Sequence, residues 1–287
     1  MRAIYKRELK SLFNSMIAYV FIAIYLLIFG IFFRAYNLEQ GLTTIGITLY
    51  ACYFCFFLFA LLTMKSLPEE RKEKIDQLLF TAPVSVTKIV LGKYLAMCTV
   101  FAVVVLVIAT CPMVVKSFGT AALMVDYTSL FAYFLLGCVY IAICMFISSL
   151  TESQIISAII SLVTVFILEY FSVFSSALSN DPYVSLVCFI LIATLIGFIC
   201  GFFTKNSTFG FSVGIGFALI VIVIYLFNQN VFTGAIQKVI NVIPPSNYLM
   251  SFIGYSTFDF SAIIYYVSVI GLFMFFTTQS IQKRRYS

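Results

Sequence analysis

The chain alternates between long runs of apolar residues and short polar connections. A helix of roughly 20 apolar residues spans a bilayer. Lipid leaves only helices or a closed barrel as spanning structures, and a run such as VFAVVVLVIATC lacks the apolar–polar alternation of a barrel strand. We therefore predict an all-α polytopic membrane protein with six to eight transmembrane helices. The eight predicted spans cover about residues 16–36, 43–64, 89–113, 128–150, 155–176, 184–203, 209–228 and 261–281.

Composition excludes a soluble globular protein. Of the 287 residues, 63% are hydrophobic and 10% are charged, whereas a soluble domain carries about 25% charged residues. The apolar run after MRAIYKRELKSLF is too long for the core of a cleavable signal, so we expect a retained first span. Residues 229–260 contain Pro244 and Pro245 and only modest apolar patches, which indicates an extracellular or re-entrant segment.

The N-terminal segment, residues 1–15, is predicted to be an amphipathic helix on the membrane surface. One face would rest on the interface and the other would turn its cations toward lipid phosphates. The apolar residues are Ile4, Leu9, Leu12 and Phe13, and the cations are Arg2, Lys6, Arg7 and Lys10.

The basic residues fix the orientation of the predicted spans. With a cytoplasmic N-terminus, fourteen Lys and Arg residues fall on the cytoplasmic side, and three (Arg34, Lys116 and Lys238) fall on the other. Positive charges stay on the cytoplasmic side of a membrane. Both termini and the 65–88 loop are therefore expected in the cytoplasm of a multi-pass protein.

The 65–88 loop holds the densest charge in the chain. Seven of the eight residues in Glu69–Asp76 are charged. Ser66 and Glu69 fit a capping box, which predicts that a helix begins there. Five basic residues face four acidic ones in this loop, so a polybasic lipid-binding patch is disfavoured.

An apolar ridge follows the charges, made by Ile75, Leu78 and Leu79, before Pro83 ends the segment. Two interpretations stay open on the residues alone. The loop is either a solvated connector or a docking helix for a cytosolic protein, with the charges as a rim and the apolar residues as anchors.

Several kinds of chemistry lack their residues. The chain has no His, which removes His-based triads and proton relays. The Gly92-Lys93 pair is followed by Tyr94 and preceded by Thr87 where a phosphate-binding loop needs its first Gly. Cys52 and Cys55 form a C-x-x-C, but with no second pair at ligand spacing we interpret them as buried small hydrophobes. We expect no catalytic residue, cofactor or metal in this chain, and no nucleic-acid partner.

One carboxylate, Glu169, lies well inside a predicted span. Ionisable groups in a membrane are costly and often functional, but a protonated Glu bonded to a neighbouring helix explains it as well. A coupling role for Glu169 would indicate an ion-coupled secondary transporter. An integral-membrane enzyme acting on lipid is disfavoured, because the acidic residues are scattered and His is absent.

Four stretches resemble the permease subunits of ABC-2 type transporters, a fold also described as type V exporter-like, and especially the gliding-motility-type (GldF-like) permeases. They are IYKRELKSLFNSMIAYVFIAIYLL, EERKEKIDQLLFTAPVSVTKIVLGKYLA, FISSLTESQIISA and YYVSVIGLFMFFTTQSIQKRRYS. The resemblance is dense over residues 1–160 and 258–287 and thin across 165–257. It implies that residues 1–287 form one permease domain that works with an ATP-hydrolysing subunit.

In the family that the chain resembles, the loop after the second span carries a coupling helix that docks on the ATPase. The resemblance implies a second cytosolic contact at Ser149–Gln154, a second permease copy or a related subunit, an auxiliary membrane protein and a bacterial cytoplasmic membrane. ATP and Mg²⁺ would bind the partner ATPase only. The implied docking residues are Glu69, Glu70, Arg71, Lys74, Ile75, Asp76, Gln77, Leu78, Leu79, Phe80 and Pro83.

Overall fold

The computed structural model describes residues 2–72, 85–119, 122–204, 207–254 and 258–286. These residues are predominantly helical, and no strand occurs among them, which confirms the predicted all-α class. The α-helices described in these ranges are α1 (Arg2–Asn14), α2 (Ile17–Phe33), α3 (Gly46–Ala51), α4 (Leu58–Thr63), α5 (Pro68–Lys72), α6 (Val86–Ile108), α7 (Cys111–Phe118), α8 (Leu123–Leu150), α9 (Gln154–Ala177), α10 (Pro182–Thr204), α11 (Ser207–Phe227), α12 (Ala235–Val242), α13 (Leu249–Gly254) and α14 (Phe260–Tyr286).

Six helical segments in the described residues are long and apolar enough to cross a membrane. A seventh is added if Gly214–Phe227 and Gln229–Val242, which meet at a bend of 117°, count as one span. The predicted range of six to eight spans contains this count. The six segments are Ile17–Glu39, Gly46–Lys72, Val86–Phe118, Leu123–Leu150, Gln154–Phe171 and Phe260–Lys283.

The chain divides into two compact units. The first comprises Met1–Glu169 with Pro245–Ser287, and the second comprises Tyr170–Pro244. The first unit therefore contains α1 to α8, most of α9, α13 and α14.

Helix α8 is the most buried span of the first unit. Its Tyr133 hydroxyl bonds the Tyr25 hydroxyl at 2.6 Å, which ties α8 to α2. The ring of Phe101 in α6 lies over Gly137 of α8, and a Cβ built on that glycine would sit 2.1 Å from Phe101 Cε1. Only glycine therefore permits this contact between α6 and α8.

The N-terminal end of α8, at Leu123, is joined to α3. The distribution of basic residues predicts that this end lies on the outer side of the membrane. The Asp126 carboxylate accepts the backbone N–H of Ile45 at 2.9 Å, which satisfies a donor just before α3 begins. The side chain of Asn37 donates to the carbonyls of Leu42 and Thr44, both at 2.9 Å. These bonds fix the path of the chain between the first two spans.

The second unit is built on a close contact between α10 and α11. A Cβ on Gly214 would lie 3.4 Å from the Cα of Gly197 and 3.5 Å from the carbonyl oxygen of Ala193, so the two backbones approach as small residues permit. The ring of Phe232 packs against those of Phe189 and Tyr225. This contact anchors the bend after α11.

The start of the charged loop differs from the capping-box prediction. Helix α5 begins at Pro68, but the hydroxyl of Ser66 is buried and has no hydrogen-bond partner. Glu69 instead lies 3.6 Å from the Lys65 ammonium, one turn earlier. The capping box is therefore wrong, because α5 begins at Pro68 and Leu67, not Ser66, occupies the position before its first residue.

Candidate functional site

A buried ion cluster joins the base of the charged loop to two other helices. The ammonium of Lys93, in α6, is fully buried. It lies 2.8 Å from Glu70 Oε2 of α5 and 3.1 Å from Glu8 Oε1 of α1, and it donates to the Ser66 carbonyl at 2.8 Å. Each of the three N–H donors of this ammonium therefore has an acceptor, on Glu8 of α1, on Glu70 of α5 or on the Ser66 carbonyl.

Arg7 completes the cluster on its exposed side. Its guanidinium lies 2.9 Å from Glu8 Oε1 and also bonds the Glu70 carboxylate. Burial acts to raise the pKa of Glu8, but the charges of Lys93 and Arg7 outweigh it and hold that pKa below its ordinary value of 4.5. Glu8 is therefore ionised at neutral pH and pairs with both cations of the cluster. Arg7 bonds the Glu8 and Glu70 carboxylates while its side chain remains 46% exposed, and its predicted contact with lipid phosphates stays a prediction.

Local sequence explains why α1 lies against α6. Ile4, Glu8 and Leu12 are four residues apart and share one face of α1. Gly92 leaves room for that face, since a Cβ built there would lie 3.1 Å from Ile4 Cγ2. The close approach carries Glu8 to the ammonium of Lys93.

A cavity of about 290 Å³ adjoins the cluster. Its walls carry charged and hydroxyl side chains but no His or Cys. The lining residues are Arg7, Glu8, Ser11, Leu12, Lys65, Ser66, Glu69 and Glu70.

A second link connects the charged loop to the end of α8. The guanidinium of Arg71 donates to the carbonyl of Thr151 at 2.8 Å and to that of Ser149. The last carbonyls of a helix lack intrahelical donors and carry partial negative charge, so a guanidinium is well suited to cap them. The hydroxyl of Ser280, in α14, donates to the same Ser149 carbonyl at 3.4 Å. The loop and the Ser149–Gln154 segment therefore form one bonded surface.

The structure describes three of the eleven predicted docking residues, Glu69, Glu70 and Arg71. Glu70 belongs to the ion cluster and Arg71 to the α8 cap, so these two bond within the protein. The remaining predicted residues lie outside the described residues, and they are Lys74, Ile75, Asp76, Gln77, Leu78, Leu79, Phe80 and Pro83.

Sequence reasoning missed the contributions of Glu8 and Lys93. Two signals were available. Glu8 is an acid on the otherwise apolar face of α1, and Lys93 is a cation within an apolar run. Two opposite charges at apolar positions satisfy each other when their helices meet.

Glu169 forms a separate polar site within the first unit. Its side chain is buried, and neither carboxylate oxygen has a hydrogen bond of good geometry. The hydroxyls of Tyr140 and Ser246 are the polar groups that interact with it.

Among the described residues, no three His, Cys, Asp or Glu side chains are placed to hold a metal ion. Cys52 and Cys55 are fully buried in the apolar core of the first unit. Their surroundings are those of small core hydrophobes.

The fold and the ion cluster define a polytopic helical membrane protein in which residues 65–72, the described start of the charged loop, are bonded to neighbouring helices. A family model described as ABC-2 family transporter protein matches residues 3–204. Because this match covers more than half of the chain, the protein belongs to the ABC-2 transporter family and is an ABC transporter permease. The matched range includes the ion cluster, the whole charged loop and Glu169. No curated protein matches the chain.

Proposed function

We propose that this chain is the membrane-spanning subunit of an ATP-driven exporter, and that the 65–88 loop docks on a separate cytosolic ABC ATPase. The family match supports the permease class. The chain has no phosphate-binding loop of its own. Energy must then arrive through a contact with the subunit that hydrolyses ATP.

The buried cluster around Lys93 is the observation that carries this proposal. A solvated connector needs no buried ions at its base, because charged side chains remain in water at little cost. Here Glu70 is held between Lys93 and Arg7. A displacement of α5 therefore displaces α1 and α6 with it.

Arg71 provides a second path for the same displacement. It joins the loop to the C-terminal carbonyls of α8, the most buried span of its unit. Movement of a docked helix would thus reach three membrane-associated helices at once. This arrangement suits a rigid transmission between nucleotide-dependent motion and re-orientation of the spans.

The assembly is proposed to contain two permease chains, identical or related, in a bacterial cytoplasmic membrane. The four resembling stretches support a gliding-motility-type (GldF-like) permease with an auxiliary membrane protein as a further partner.

Co-purification tests the docking role of the loop. The chain would be co-expressed with the ABC ATPases of its own genome and captured by an affinity tag. Leu78→Asp combined with Leu79→Asp should abolish recovery of the ATPase, because two charges would replace the apolar anchors. The matched control is Gln229→Asp with Asn230→Asp, which adds the same charge at exposed positions on the predicted outer side. Equal recovery of the ATPase with both double variants would refute the docking role.

An ion-coupled secondary transporter is the second candidate, because Glu169 is buried and pairs with no cation in the part of the chain that the structure describes. Vesicles containing this chain alone distinguish the two. Solute accumulation driven by an ion gradient, without ATPase or ATP, would establish the second candidate and refute the first.

A further inference from the structure

Four segments of the first unit bring polar side chains to Glu169 of α9. Glu169 is 6% exposed. Electrostatic interactions link it to Tyr50 of α3, Tyr140 of α8 and Tyr266 of α14, and a hydroxyl interaction links it to Ser246. All these residues lie in the same compact unit.

The site is polar, and no cation of the described residues interacts with Glu169. Both oxygens of Glu169 and the hydroxyl of Tyr140 are buried without a hydrogen bond of good geometry. Among the described residues, only the hydroxyls of Tyr140 and Ser246 interact favourably with the carboxyl. The titratable neighbours are three phenols, which stay neutral over the physiological range.

An ionised carboxylate is strongly disfavoured in such a place. Burial of a charge is tolerated when a counter-charge or several good donors accompany it, and Glu169 has neither. A carboxylic acid, by contrast, has one donor of its own for a neighbouring hydroxyl oxygen and can accept from another hydroxyl. The orphaned hydroxyl of Tyr140 supplies one such partner.

We propose that Glu169 is a proton-binding site inside the membrane domain, and that its neutral carboxyl joins α9 to α8 and to the turn at Pro245–Tyr248. The ligand is a proton, which requires no cavity. This proposal does not depend on the docking role of the 65–88 loop.

The turn at Pro245–Tyr248 is the element that this proton holds in place. Tyr266 donates to the Pro245 carbonyl at 3.1 Å, and Ser246 faces Glu169. Helix α13 follows directly, and its Ile253 packs on Gly46, where a Cβ would lie 2.9 Å from Ile253 Cγ2. Removal of the proton would place a charge at the base of this packed segment and loosen it.

Infrared spectroscopy tests the protonation state directly. The difference spectrum of wild type minus Glu169→Gln at neutral pH should contain the C=O stretching band of a carboxylic acid. Asp126→Asn is the matched control, because Asp126 is also buried and its second oxygen has no partner. An acid band lost in Asp126→Asn but kept in Glu169→Gln would overturn the assignment. A wild-type spectrum with no acid band would also overturn it, and that measurement does not depend on the folding of any variant.

The pH dependence of stability gives a second measurement. A native state that keeps a proton which the unfolded chain releases loses stability as pH rises. Wild type should therefore lose stability, measured as a lower unfolding midpoint, as the pH rises above about 4.5, where the unfolded Glu releases its proton. Glu169→Gln should remove this loss. Parallel curves for the two proteins would overturn the proposal.

Discussion

Lys93 and Glu70 form an ion pair of 2.8 Å in which the lysine side chain is completely buried. Glu70 lies near the start of the charged loop, and Lys93 lies in α6, the helix that follows the loop. The ion pair therefore joins the start of the loop to the helix on its other side.

Removal of the ammonium should destabilise the protein strongly. Lys93→Met leaves Glu8 and Glu70 close together with only Arg7 as counter-charge, and breaking a buried pair in this way costs about 3–5 kcal/mol. Unfolding of the purified protein in detergent measures the loss. Lys88→Met is the control on the same helix, because Lys88 is exposed, and its effect should stay within about 0.5 kcal/mol.

A compensating variant checks the cause of that loss. Lys93→Met combined with Glu8→Gln and Glu70→Gln removes the unpaired charges and should recover part of the stability. A triple variant less stable than Lys93→Met would show that the charges are not the reason.

Glu8 should make the protein sensitive to acid. Its pKa is lowered by Lys93 and Arg7 against the opposing effect of burial, so the unfolded chain takes up this proton at a higher pH than the folded one. The stabilisation is complete above the ordinary value of 4.5 and is lost as pH falls through the lowered pKa. Between neutral pH and about pH 3, the free energy of unfolding should fall more steeply with pH for wild type than for Glu8→Gln.

Glu39→Gln is the control for this measurement, because the Glu39 side chain is 60% exposed beside Arg34. The free energy of unfolding of this variant should depend on pH in the same way as that of wild type. If Glu8→Gln also follows wild type, the ionised state of Glu8 does not stabilise the fold.

Arg71 should hold the loop and the end of α8 in one rigid surface. Arg71→Ala removes charge-assisted bonds to the carbonyls of Ser149 and Thr151, each worth about 1.5–3 kcal/mol. Hydrogen exchange should accelerate in residues 68–72 and in the last turn of α8. Lys72→Ala, at an exposed neighbouring position, should leave both segments unchanged, and unchanged exchange in Arg71→Ala would contradict the capping role.

Gly137 should be required for the packing of α6 on α8. Gly137→Ala places a Cβ 2.1 Å from Phe101 Cε1, and overpacking of this kind costs about 1–3 kcal/mol. Thermal unfolding measures the loss, which Phe101→Leu in the same chain should partly restore. Gly271→Ala should be neutral or stabilising, because nothing lies within 4 Å of a Cβ there.

The membrane helices could be predicted from local pattern alone. Lipid excludes any other spanning structure for such apolar runs, so each predicted span is helical in the part of the chain that the structure describes. The packing of the short helices could not be predicted in this way. Helix α13 packs against Gly46 of α3 although about 200 residues separate them, and no local pattern indicates such a contact.

The candidate site could likewise be predicted only in part. The charge density of Glu69–Asp76 indicated where an important loop lies. The Ser66 capping box was wrong because α5 begins one residue later than that box requires. Glu8 and Lys93 are 85 positions apart. Their pairing depends on how α1 packs on α6, and no local sequence pattern indicates that packing.

Helix α8 has 28 residues, which corresponds to a length of about 42 Å at 1.5 Å per residue. Arg71 bonds the carbonyls at the C-terminal end of this helix, and Asp126 lies within its first turn at the other end. A tilt of about 5° at the Arg71 end moves the other end through about 4 Å. Small rotations at one end of α8 are thereby enlarged into ångström-scale movements at the other, where Asp126 holds the chain just before α3.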